Sequence, residues 1–350
     1  MSWFVAFFVL SVLIFFHELG HYLAARMVGV YVEVFSIGFG PRLASFYAFG
    51  NEWRLSAIFL GGYVKMKGQD DSDPTKKNFD PDSYNSKSPL QRIFILLAGP
   101  LANFVVAFFF FFAIALDGPQ ALEPVIGEVV KDSPAYQAGL QKNDRIVAIN
   151  NTPVETWSDM AKIIASSQGT LEFKIERGGY IEFKTITPQL RDATNEFNEK
   201  IKRRMIGIAS AGKVKKIDLG LLQSLSYAWE KTIWASTMIF KGVQKLISGD
   251  VPAKELGGVI SIVKITADAS QAGWVAVAFF AALISVNLGV LNLLPIPALD
   301  GGHIMFNLYE LITNKQPSEE ILYRLTVAGW VVLFALMGLG IYNDINRLMN

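Results

Sequence analysis

His17 and His21 stand four residues apart in FFHELGHYLAAR (residues 15–26), with Glu18 beside the first. On a helix, residues i and i+4 share one face, so two imidazoles at this spacing can close on a single zinc ion. The adjacent carboxylate is then placed to act as general base toward an attacking water. A catalytic zinc takes three protein ligands and keeps one position open. The chain has no cysteine and only three histidines, so every ligand must be His, Asp or Glu. Asp300 is the candidate third ligand. It lies in NLLPIPALDGGH, where Pro295 and Pro297 break a helix and Gly301 and Gly302 free the backbone around the carboxylate. Glu33 and Glu52 are the alternatives from polar segments, and His303 is expected to stay outside the ligand set, since three ligands suffice.

HExxH is a short pattern, and its setting gives it weight. It ends WFVAFFVLSVLIFF, a run without a single charge. An ionisable group in a membrane span costs about 2.5–3.5 kcal/mol on insertion scales, and three clustered ones need a compensating role. A metal supplies one, because apparent structural-zinc affinities reach about 10–16 kcal/mol at neutral pH.

The rest of the chain supports a bilayer setting. Of its 350 residues, 51% are hydrophobic and 26 are Phe, with a mean hydropathy of +0.33, above the apolar share of an ordinary soluble domain. Lys and Arg (32) balance Asp and Glu (31), so no global field favours nucleic acid. A span needs roughly 20 apolar residues, and four stretches supply them. The predicted architecture is therefore a polytopic α-helical membrane protein of about four spans with one soluble insertion. Residues 1–30 hold the first span and HELGH, 93–116 the second, 272–300 the third with Asp300 at its end, and 325–343 the fourth.

Between the first two spans, residues 31–67 alternate apolar and polar side chains with Gly and Pro at the breaks, predicting membrane-associated β-hairpins. Residues 68–92 form a polar connector. Residues 117–211 read as a small α+β domain. Residues 217–248 read as an amphipathic helix lying in the interface, with Tyr227, Trp229 and Trp234 as belt residues. Nine Lys and Arg residues fill the stretch from Arg26 to Arg92, and none precedes the first span. The positive-inside rule places that loop in the cytoplasm and the N-terminus and insertion outside. The first and third spans then run in the same direction, which brings HELGH and Asp300 to similar depth toward the cytoplasmic face.

Three motifs in order, FFHELGHYLAAR, AGPLANF (98–104) and NLGVLNLLPIPALDGGH (287–303), resemble the site-2 protease family of intramembrane zinc metalloproteases, in its bacterial RseP-like branch. The resemblance spans nearly the whole chain. It implies that His17, His21 and Asp300 bind Zn2+, that Glu18 is the catalytic base, and that the protein resides in the bacterial inner membrane. The implied reaction is hydrolysis within the membrane-spanning segments of trimmed single-span proteins, such as anti-sigma factors or remnant signal peptides. The insertion, with SPAYQAGLQKNDRIVAINNTPV at 133–154, is similar to a bacterial PDZ domain, so peptide termini are an expected partner and trimming of the substrate an expected condition of entry. Only one such domain fits, whereas longer members carry two. Val259 stands where the family has proline.

A substrate helix must unwind before its peptide bonds can be cut, and a strand edge within 31–66 can pair with the unwound stretch. Asn287, Asn292 and Asn103 are candidate polar contacts for the substrate backbone, while Gly99 and Pro100 are expected to kink the second span for packing. Two other readings are a membrane-anchored zinc protease of soluble proteins, using Glu33 or Glu52, and a non-enzymatic PDZ adaptor or metal carrier. Glu18 has no purpose in the last.

Overall fold

The uncharged N-terminal run folds into α1 (Ser2–Met27), which carries HELGH near its end. The computed structural model describes residues 2–69, 78–195 and 199–349. Residues 70–77 of the polar connector expected at 68–92 therefore lie outside the described residues.

Two long strands follow, β1 (Val32–Ala48) and β2 (Asn51–Met66). They do not form a plain hairpin. Residues 34–37 of β1 face 52–55 of β2 on one side and 62–65 on the other, while 44–48 also face 51–55. Each strand bends, giving a curled sheet of four segments whose two outer segments are 62–66 and 42–48. Gly38, at φ +89°, lies at the bend in β1, a conformation other residues rarely adopt. This sheet packs on α1 through Phe35, Val32, Val64 and Met66, which share a core with Tyr22, Ala25, Phe15 and Ile95. Toward the tip, Leu43, Phe46, Tyr47 and Phe49 are exposed.

The second apolar run is α2 (Pro89–Asp117), which continues through Pro100. After it comes a separate compact unit, Leu116–Leu221. Its elements are β3 (Gln120–Leu122), β4 (Ile126–Val129), the single turn α3 (Pro134–Gln137), β5 (Arg145–Ile149), β6 (Thr152–Pro153) and α4 (Trp157–Ser166). They continue with β7 (Leu171–Arg177), β8 (Tyr180–Ile186), β9 (Gln189–Thr194), β10 (Lys200–Met205), β11 (Ile208–Ser210) and β12 (Val214–Lys216). The four-stranded sheet runs β6-β5-β7-β8, with β9–β10, β11–β4 and β12–β3 as further pairs. Alternate residues of β7, Leu171, Phe173 and Ile175, are buried and meet Ile146, Ile149, Met160, Ile164 and Ile206 in one apolar core. α4 opens with a capping box in which Thr156 and Asp159 exchange hydrogen bonds. The unit extends past 211 because β12 pairs with β3 and closes its two ends together.

The C-terminal part comprises α5 (Leu221–Ser248), α6 (Val259–Ala272), α7 (Trp274–Asn292), α8 (Asp300–Thr313) and α9 (Glu319–Met349). The buried stripe of α5 is small, namely Ser224, Ala228, Thr232 and Ala235. Ala228 and Ala235 join Phe111, Ala278, Ala282 and Val286 in a core shared with α2 and α7. The large apolar residues of α5, including Leu222, Trp229, Phe240 and Ile247, point outward. Lys231 lies over the rings of Tyr227 and Trp234.

α6 packs along α1. Its first N–H groups are satisfied from α9, where the Asp344 carboxylate accepts from Gly258 N and Ser261 N at 3.0 Å each. Val259 is the first residue of α6, a position where proline is favoured because its N–H has no helical partner. The Asp344 contacts come from the residues on either side of it, Gly258 and Ser261, and do not involve Val259.

Among the described residues, four helices are long and apolar enough to cross a membrane: Phe4–Met27, Pro89–Asp117, Trp274–Asn292 and Glu319–Met349.

Candidate active site

HELGH lies on the last turns of α1, and Asp300 begins α8. The third apolar helix, α7, ends at Asn292, eight residues before Asp300. Between them NLLPIPAL turns the chain. Gly301 and Gly302 let α8 start hard against this turn, because a Cβ on Gly301 would sit 2.2 Å from the Leu294 carbonyl oxygen and one on Gly302 2.3 Å from that of Ile296. The carboxylate of Asp300 thereby reaches α1.

Three ligand-type atoms converge. His17 Nε2 and His21 Nε2 are 3.2 Å apart, and each is 3.4 Å from Asp300 Oδ2. Tetrahedral zinc, with bonds of about 2.0–2.1 Å, holds its ligand atoms roughly 3.3–3.4 Å apart, so the triangle matches one face of such a site. Asp300 Oδ2 is buried without a hydrogen-bond partner, a costly state for a carboxylate oxygen unless a cation satisfies it. The donor set of two imidazoles and a carboxylate suits zinc. The residues present therefore fit the ion.

The imidazoles are held in the orientation that metal binding needs. His21 Nδ1 lies 2.8 Å from the Ile95 carbonyl oxygen on α2, and since a carbonyl only accepts, Nδ1 carries the proton and Nε2 presents its lone pair to the cluster. On His17, Nδ1 is 3.1 Å from Asn103 Nδ2, and Asn103 Oδ1 is buried with no partner. Half a turn of that amide lets Oδ1 accept from Nδ1–H, which frees the Nε2 lone pair of His17 in the same way. The Asn103 backbone carbonyl in turn accepts from Ser285 Oγ at 2.7 Å, tying α2 to α7 at this depth.

Glu18 faces the curled sheet. A Cβ on Gly62 of β2 would come 3.1 Å from Glu18 Cγ and 2.9 Å from the Ser36 carbonyl oxygen, so the glycine makes room for the carboxylate beside a strand segment. Asn287 and Asn292 lie half-buried on α7.

The carboxylates considered in place of Asp300 are engaged elsewhere. Glu33 pairs with Lys65 at 2.6 Å, and Glu52 with Arg54 at 2.8 Å and Arg42 at 3.3 Å. The Arg54 guanidinium beside it, with smaller help from Ser45 and Arg42, holds the Glu52 carboxyl down at about 2. Among the described residues, the one group of three His, Asp or Glu side chains with metal-binding geometry is His17, His21 and Asp300. His303, one turn into α8, stands edge-on to Phe306 and outside that group.

Two contributors were not legible as such in the sequence. The Ile95 carbonyl is backbone and leaves no residue signature. Gly99, expected to serve helix kinking, also vacates the space for a histidine ring, since a Cβ there would lie 2.2 Å from His21 Nε2. The glycine in AGPLANF was the available signal.

Comparison with known proteins agrees with this chemistry. The model of peptidase family M50 matches residues 5–336. A protein of Campylobacter jejuni, described as a candidate zinc metalloprotease, is 46% identical over 97% of this chain and 92% of its own length. Similarly described proteins of Helicobacter pylori (40% identical, 99% of each chain) and Clostridium acetobutylicum (34% identical, 95% of this chain and 94% of its own) also align. Among solved structures, the PDZ domain of an SdrC-like protein from Listeria monocytogenes aligns with 25% of this chain and 84% of its own, at 20% identity and a TM-score of 0.20. With the family model covering nearly its whole length, the chain belongs to peptidase family M50, the site-2 proteases, as a zinc metalloprotease built into an integral membrane protein.

Proposed function

We propose that this protein hydrolyses peptide bonds within the membrane-spanning segments of single-span proteins already trimmed on the outer side. The observation that carries this reading is the convergence of His17, His21 and Asp300 from the ends of an apolar helix and of the turn that follows another. In this reading His17, His21 and Asp300 hold the zinc and Glu18 is the catalytic base. The bound ion supplies Lewis acidity to the scissile carbonyl and to the attacking water.

The remaining work belongs to the chain's own side chains. Glu18 takes a proton from the attacking water as its oxygen bonds to the carbonyl carbon, and returns a proton to the leaving nitrogen as the C–N bond breaks. Ile95 and Asn103 keep the two imidazoles turned toward the site. The Gly62 segment of β2 beside Glu18 is a place for unwound substrate to lie extended, with Asn287 and Asn292 on α7 as further partners for its freed backbone groups.

In this reading the protein lies in the bacterial inner membrane, with the basic loop and active site toward the cytoplasm and the 116–221 unit extracytoplasmic as a peptide-binding PDZ-like domain. That unit would tether or filter substrates by size. The test is a comparison of membrane proteomes from cells carrying wild-type or Glu18→Gln protein. Single-span fragments should accumulate with the variant alone, and a variant that accumulates none removes the support for this function.

A further inference from the structure

The 116–221 unit carries a strip of cations with few acids beside it among the described residues. β9 and β10 together hold Arg191, Lys200, Lys202, Arg203 and Arg204 against one acid, Asp192. Their register sets Lys202 opposite Asp192 but Arg203 directly opposite Arg191, and like charges across an antiparallel pair destabilise it. Elsewhere in the unit, three of ten cations have ion pairs among the described residues. Arg177 meets Asp144 at 2.7 Å, Lys184 meets Glu182 at 3.0 Å and Lys216 meets Asp117 at 3.0 Å. Among the described residues, none of the five cations on β9 and β10 has an ion-pair partner. The Arg191 guanidinium donates only to Gln189 Oε1, at 3.2 Å.

Two of these arginines border a groove of about 190 Å³. Its partly exposed apolar lining is Trp157 and Ala161 from α4, with Ile208 across from them, while Met160, Ile164 and Ile206 are buried in the core and Arg203 and Arg204 stand at the end of the facing strand. Ile208 belongs to β11, which pairs with β4 alone. Gly207, between the two isoleucines, has φ +83°, and a Cβ there would lie 2.3 Å from Ser133 Cβ. The bend between Ile206 and Ile208 therefore requires glycine.

We propose that this groove binds an acidic polypeptide segment, with an apolar side chain against Trp157, Ala161 and Ile208 and carboxylates against Arg203 and Arg204. The inference rests on the reading of the unit as a peptide-binding domain and adds to it the chemistry of the partner. A narrow apolar cleft beside the arginines suits a side chain and its neighbours along one extended chain, whereas a headgroup surface calls for an open basic face. Proteins presenting a short acidic stretch next to an apolar residue are thus the class the unit selects.

The test uses the full-length protein in detergent micelles and fluorescence anisotropy of three labelled ten-residue peptides. They share a C-terminal valine and differ in a central triplet of Glu, Gln or Lys. At 50 mM salt the Glu peptide should bind about tenfold more tightly than the Gln peptide, as two partly exposed ion pairs allow, and the Lys peptide more weakly still. Arg203→Glu combined with Arg204→Glu should invert that order, and Arg203→Gln with Arg204→Gln should abolish it while the thermal melt is unchanged. Equal affinity for the Glu and Gln peptides overturns the proposal and leaves the peptide-binding reading standing. Binding of none of the three overturns both. Displacement of the Glu peptide by glycerophosphoglycerol at similar concentration assigns the arginines to a lipid surface and also overturns the proposal.

Discussion

Gly99→Ala tests whether the second apolar helix forms part of the metal centre without contributing a ligand. The added Cβ would meet His21 Nε2 at 2.2 Å, Cε1 at 2.5 Å and Cδ2 at 2.7 Å. Ordinary van der Waals contact begins at 3.4 Å, so the ring must retreat by about 1.2 Å. It cannot swing freely, because Nδ1 is held by the Ile95 carbonyl at 2.8 Å. Parting the two helices instead would pull Asn103 from His17. Overpacking of this kind costs about 1–3 kcal/mol, and each 1.4 kcal/mol is tenfold in an equilibrium constant. Zinc affinity, measured on purified protein by competition with a chromogenic chelator, should fall roughly 5- to 150-fold, while circular dichroism retains the helical signal. Gly338→Ala on α9 is the control, since a Cβ there meets nothing within 4 Å. A Gly99→Ala protein that binds zinc within about twofold of wild type would refute the claim that this glycine makes room for the histidine.

Three further outcomes follow from individual contacts. Asp300→Asn should retain little zinc by elemental analysis after dialysis, because the neutral amide weakens the site and Oδ2 is otherwise buried without a partner. Arg92 on α2 donates to Glu310 on α8 at 2.8 Å with both side chains largely buried, so Glu310→Ala should cost about 3 kcal/mol by leaving a buried cation. The swap Arg92→Glu with Glu310→Arg should recover part of the lost melting temperature. Glu52 has a folded pKa of about 2, lowered from 4.5, so its contribution to the curled sheet is complete above pH 4.5 and disappears as the pH falls through about 2. An acid titration of Trp53 fluorescence, read against Trp53→Phe, should show a loss over that window in wild type and none in Glu52→Gln.

Much of the site was legible because the chemistry lies in local spacing. HELGH at i and i+4 fixes two imidazoles on one helical face whatever surrounds them, and PIPALDGGH announces a broken helix with a carboxylate at the break. The four apolar helices were legible for a similar reason, since a bilayer imposes length and composition on any segment that crosses it. The curled sheet was read only as strands. Alternation predicts an extended backbone but not that residues 34–37 would be flanked by two segments of the same partner strand, a pairing set by bends far apart in sequence.

What the sequence determined by itself was which residues could bind a metal and that they lay beside apolar spans, since residue type and period are properties of the chain alone. Only the tertiary structure decided which carboxylate stands beside the two histidines. It brings Asp300 within 3.4 Å of both histidines and gives Glu33 and Glu52 to cations. It likewise decided that a backbone carbonyl and a missing side chain at Gly99 orient His21, because contacts between residues 74 or more apart exist only once the helices pack.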